Sequence, residues 1–128
     1  MGISVQWFAP GTNIISFTID GKWVWDDFQG AMKTAYEMME SAHFEYVDYI
    51  LDMRNGDALP SNILSKMKNV SQRHHPKSRD MVVVGAGRFP EMMFGLMMKI
   101  VPDRMKHVKL VSSMDDAIQH LESQYSPA

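Results

Sequence analysis

The chain of 128 residues carries 13 Lys and Arg against 15 Asp and Glu, a net charge of -2, with 45% hydrophobic and 22% charged residues. That balance excludes a disordered or low-complexity chain and argues against a domain-wide nucleic-acid footprint. There is no Cys, so disulfides, thiolate metal sites and cysteine nucleophiles are excluded as well.

The length suits one compact domain over residues 1–128, large enough to bury a full core. Ile3 to Phe8 leans towards a β-strand and ends at the turn signal Ala9-Pro10-Gly11. Asn13 to Asp20 (NIISFTID) is rich in β-branched and aromatic residues, so the two segments predict an antiparallel hairpin. From Asp26 to Ala42, apolar residues at Phe28, Ala31, Met32, Ala35, Met38, Met39 and Ala42 repeat with helical spacing. Asp26 is the expected cap, with Gln29 as its reciprocal partner.

Tyr46 to Met53 (YVDYILDM) predicts the third strand. A second helix begins at Pro60 or Ser61, is apolar at Ile63, Leu64, Met67 and Val70, and stops near His74 because Pro76 cannot continue it. The all-apolar Met81 to Val84 predicts a strand covered on both faces, running to about Gly85. A third helix starts near Pro90 and stops before Pro102. His107 to Ser112 is the fifth strand, and Ser113 with Asp116 caps a last helix that turns Ala117, Ile118 and Leu121 inward. The order is β-β-α-β-α-β-α-β-α. It implies an α/β fold with a five-stranded mixed sheet: one antiparallel edge strand, a parallel remainder, and helices packed on it.

Chemical motifs are few. Gly85-Ala86-Gly87 sits between strand and helix, yet Pro90 stands where a dinucleotide fingerprint needs its third glycine. The adjacent His74 and His75 point about 100° apart on a helix, and no His-x-x-x-His pair occurs. The sequence contains neither Gly-x-Ser-x-Gly nor His-Glu-x-x-His. The expectation is a protein without catalytic residues, cofactor or metal. No apolar run approaches the roughly 20 residues of a membrane span. The start MGISVQWFAPG has no signal-peptide pattern, so a cytoplasmic location is expected.

Two features remain. Residues 20–57 hold nine acids and three bases, whereas residues 58–79 hold five bases and no acid. Lys66 and Lys68 lie off the apolar face of the second helix. With Arg73 they form either a solubilising surface or a docking surface for an acidic partner. Between Met92 and Val101 only Gly95 and Lys99 interrupt an apolar run. Met93, Leu96, Met97 and Ile100 make the inward stripe of that helix. Phe94, Met98 and Val101, with Met92 at the margin, make a second stripe that is either loosely packed core or a surface for a protein partner, a second copy of the chain, or an apolar ligand.

The element order, the hairpin leading through GKWVWDDF into the first helix, the segment YILDMRNGDALPSNIL and the closing SSMDDAIQHLE resemble the STAS-like domains. Within these they are similar to the branch of the sporulation anti-sigma-factor antagonist, the SpoIIAA-like proteins. The resemblance spans about Ser4 to Leu121. It implies a mostly non-enzymatic protein of bacterial regulation that works by partner switching. It also implies a Ser or Thr acceptor of phosphate, in an Asp-Ser-Ser-Gly-like motif at the start of the second helix. Ser61 takes the acceptor's place, although the stretch from Asp52 to Ser61 does not carry that motif. Read from the residues alone, Ser61 is a helix cap.

Overall fold

The computed structural model describes residues 2–56, 77–85, 88–100 and 102–125. Along these the chain forms β1 (Gly2–Trp7), β2 (Ile14–Gly21), α1 (Trp25–Ser41), β3 (Val47–Gly56), β4 (Ser78–Val84), α2 (Arg88–Ile100), α3 (Pro102–Met105), β5 (Val108–Val111) and α4 (Met114–Tyr125). The sheet runs β1-β2-β3-β4-β5. β1 pairs antiparallel with β2, and every later pairing is parallel. The predicted mixed sheet with one antiparallel edge is therefore the observed one. The expected helix from Pro60 or Ser61 to His74 lies outside the described residues.

The hairpin turns as its residues dictate. Ala9 O accepts from the Thr12 amide at 3.2 Å, with Pro10 and Gly11 between them and Gly11 at φ 78°. Proline first and a left-handed glycine second make a type II turn. The Thr12 hydroxyl adds a bond to Ala9 O at 2.8 Å.

Side-chain alternation sends neighbouring residues of each strand to opposite faces. On one face Ile15, Phe17, Val47 and Tyr49 close over Ala31, Ala35 and Met39 of α1. On the other, Ile14, Ile50, Val82 and Val84 close over Ala117 and Leu121 of α4. A third cluster joins Ile19 to Trp23, Trp25 and Phe28, with the Trp25 and Phe28 rings stacked 5.1 Å apart. β2 is thus apolar on both faces because helices cover both.

Several boundaries differ from the sequence reading. β3 continues to Gly56 because Asn55 and Gly56 pair with Asp20 and Gly21 beyond an irregularity between Thr18 and Asp20. β4 starts at Ser78, not Met81, because Ser78 already pairs with Val47 and the polar Arg79 and Asp80 find partners. Asp26 with Gln29 does not cap α1. The helix starts one residue earlier, and Asp27 accepts from the Val24 amide at 3.0 Å. The short α3 was not expected. Proline at a first helical position has no amide to leave unpaired, and Asp103 suits the positive end of that turn.

The far end of α1 carries no base of its own. Lys77 supplies one from outside, donating to Met39 O at 2.9 Å and Ala42 O at 3.3 Å. α4 starts as read: the Asp116 amide donates to the Ser113 hydroxyl at 3.1 Å.

Candidate functional site

The helical spacing of α2 separates two surfaces. Met97 is buried at 5% exposure, whereas Met92 and Met98 stand 54% and 45% exposed. Phe94 is half-buried, and Glu91, Gly95 and Lys99 are exposed. At about 100° per residue, Phe94 and Met98 lie about 40° apart, while Met92 lies about 120° from Met98. The outer surface is therefore not one unbroken apolar stripe. Phe94 and Met98 form one edge, Met92 the other, and Glu91, Gly95 and Lys99 run between them. Val101, Ser61, Lys66, Lys68 and Arg73 lie outside the described residues.

A second group of polar residues sits where β3, β4 and β5 begin. Asp48, 2% exposed, is held by two parallel bonds from Arg79, Nε to Oδ1 at 3.0 Å and Nη2 to Oδ2 at 2.8 Å. The Asp80 amide adds a third bond to Oδ1 at 3.1 Å. Arg79 also lies over the Tyr46 ring, 5.6 Å from its centre. Asp80 pairs with His107 Nδ1 at 3.2 Å. A register shift between Val47 and Tyr49 sets both Arg79 and Asp80 against Asp48. These are structural pairings that let acids stand inside an apolar sheet.

Farther along β3, Asp52 is 5% exposed and accepts from Arg54 Nε at 2.9 Å, Arg54 Nη2 at 2.8 Å and the Arg54 amide at 3.1 Å. The Arg54 side-chain bond holds the Asp52 carboxyl below its ordinary value, against burial, which pushes it up. A carboxylate held down in the fold adds stability that is complete above its unfolded value, near 3.9, and is lost as pH falls through the folded value. Replacing Asp52 with Asn should therefore flatten the fall of stability below about pH 4. Urea midpoints measured from pH 7 downward check this; parallel curves for the two proteins would contradict it.

Among the described residues are two open grooves. One, of about 650 Å³, is lined by residues including Glu91, Lys109, Ser112, Asp116 and His120. The other, of about 340 Å³, follows α1 past Phe28, Met32 and Tyr36. Neither is lined by Met92, Phe94 or Met98. Among the described residues no group of three or more His, Cys, Asp or Glu could hold a metal ion, and no helix is long and apolar enough to cross a membrane.

The residues passed over in the sequence were Asp48, Asp52 and Arg79. Their signal was present: Asp48 and Asp52 stand four apart in the apolar run YVDYILDM, hence on one face, and a buried acid demands a cation.

No protein-family model matches the chain, and no curated protein sequence matches it. Among solved structures it is similar to an uncharacterized protein of the DUF3478 family with a SpoIIAA-like fold, from Shewanella loihica PV-4. The two are 15% identical, the match covers 94% of each chain, and the TM-score is 0.70. The fold is SpoIIAA-like, as the resemblance in the sequence implied.

Proposed function

We propose that this SpoIIAA-like chain is a non-enzymatic, cytoplasmic protein-binding module, one STAS-like domain over residues 1–128, acting in regulation by partner docking. The supporting observation is the exposure of Met92 and Met98 on a helix whose other side buries Met97. Large flexible apolar side chains left in water on a regular helix favour a protein contact. The bases Lys66, Lys68 and Arg73, in a stretch (residues 58–79) with five positive charges and none negative, would serve the docking of an acidic part of the partner. Charge placed at Ser61 would adjust the docking, because a phosphate adds negative charge and strong hydrogen-bond acceptors. An apolar ligand is the less favoured occupant, since neither groove among the described residues is lined by Met92, Phe94 or Met98.

The test places a photoreactive methionine analogue at Met98 in cells and identifies what it labels. The expected product is a discrete protein adduct, of another protein or of the chain itself. The purified partner should then bind the domain, and Met98→Lys should weaken that binding about tenfold or more, about 1.4 kcal/mol, with circular dichroism unchanged. Labelling confined to lipid, or a purified partner indifferent to Met98→Lys, would overturn the reading.

A further inference from the structure

β1 is an edge of the sheet, and it carries none of the devices that keep an edge strand from pairing. It has no charged residue, no proline and no register shift against β2. The opposite edge is guarded: β5 is four residues long and holds the exposed Lys109.

The register decides which backbone groups β1 leaves over. The Phe8 amide donates to Ile14 O at 2.7 Å, so these two residues are a hydrogen-bonded pair. Such pairs alternate along an antiparallel ladder. Gln6, Ser4 and Gly2 therefore bond to β2, opposite Ser16, Thr18 and Asp20. The N–H and C=O groups of Ile3, Val5 and Trp7 point the other way, and no group among the described residues bonds them. A row of donors and acceptors at this spacing matches another extended backbone. We infer that β1 pairs antiparallel with β1 of a second copy, about a two-fold axis at Val5, joining two five-stranded sheets into one.

The occupant follows from the residues. A two-fold contact is self-complementary: where residue i touches j, j also touches i. Centred on Val5, the pairing sets Val5 against Val5 and Ile3 against Trp7. It is the one antiparallel register in which the outward groups of all three residues find partners among the same three. Each pair exchanges two bonds. The side chains agree on both faces. Ile3, Val5 and Trp7 are only half-buried at the margin of the α1 cluster, and a second such row beside them makes apolar cross-strand pairs. On the other face, exposed Ser4 meets exposed Gln6 of the second copy, polar against polar. Along the strand no charge opposes a like charge. An edge of six residues buries well under the roughly 1,600 Å² of a standard interface. The dimer is therefore weak and forms at high concentration.

This edge is separate from α2, so the inference goes beyond the docking reading and does not rest on it. The test is sedimentation velocity of the full chain over a wide concentration range, joined to amide hydrogen exchange. The parent chain should pass from monomer to dimer, and the amides of Ile3, Val5 and Trp7 should slow as it does. Val5→Pro removes an outward N–H and no bond to β2, so it should abolish association while the urea midpoint of the dilute protein holds. Ser4→Lys with Gln6→Lys should weaken association about tenfold or more, whereas Ser4→Lys with Gln6→Glu should restore it. Both positions are exposed, and the restored pair guards against misreading a folding defect. A chain monomeric throughout overturns the inference, as does a dimer indifferent to Val5→Pro or to the charge pairs. Slowed exchange at Ile3, Val5 and Trp7 only in complex with a different protein also overturns it. Met98→Lys should leave this association unchanged, so the failure of either reading is visible apart from the other.

Discussion

Replacing Arg79 by Ala is expected to destabilise the fold by about 3–5 kcal/mol, the usual consequence of stranding a buried charge. The Asp48 side chain is 3% exposed and takes two bonds from that guanidinium. Without it, the Asp80 amide at 3.1 Å remains as a donor, and one dipole does not replace a cation in a dry site. Arg79→Lys should fall between, because an ammonium keeps the charge but cannot make the two parallel bonds or lie flat over Tyr46. Asp48→Asn combined with Arg79→Met should be milder than Arg79→Ala alone, since it removes the charge together with its partner. Urea unfolding followed by the fluorescence of Trp23 and Trp25 measures each variant. A loss below about 1 kcal/mol for Arg79→Ala, the range of exposed pairs, would show that water reaches Asp48.

Phe17→Ala carries an expected loss of about 3–5 kcal/mol by a different mechanism, cavity formation. Phe17 is 1% exposed at the middle of β2, beneath Ala31 and Ala35 of α1, with the Tyr49 ring 5.8 Å away. The alanines opposite it are small, so they cannot expand into the space left behind. Tyr49 cannot readily turn into it, because its hydroxyl is bonded to the Ser78 hydroxyl and to the Met39 sulfur. Phe17→Leu, which keeps most of the volume, should lose far less. The same urea measurement applies, and similar losses for Leu and Ala would show that the neighbours collapse into the gap.

The fold was legible because its signals were local. NIISFTID was rich in β-formers, MVVV read as a strand covered on both faces, the Pro-Gly turn joined the first two strands, and Ser113 with Asp116 marked a helix start. Boundaries were less legible where pairing overrides composition. Arg79 and Asp80 look like loop residues until Asp48 and His107 are placed across from them. The cap of α1 was misassigned because Asp26 and Asp27 are adjacent, and only three-dimensional geometry decides which carboxylate reaches the Val24 amide. Of the candidate site, the inward Met97 and outward Met98 were readable from helical spacing. The division of the outer face was not, because an apolar run hides that Glu91, Gly95 and Lys99 fall in the arc between Met98 and Met92.

Protection of individual methionines is the most direct measure of whether the outer face of α2 is a protein contact. Oxidation of a methionine sulfur follows its exposure, and mass spectrometry resolves Met92, Met97 and Met98 separately. In dilute protein, Met92 and Met98 should oxidise fast and Met97 slowly. With the purified partner present, Met92 and Met98 should slow several-fold while Met97 stays as it was. Oxidation of Met92 and Met98 at one unchanged rate under all these conditions would contradict docking through this helix.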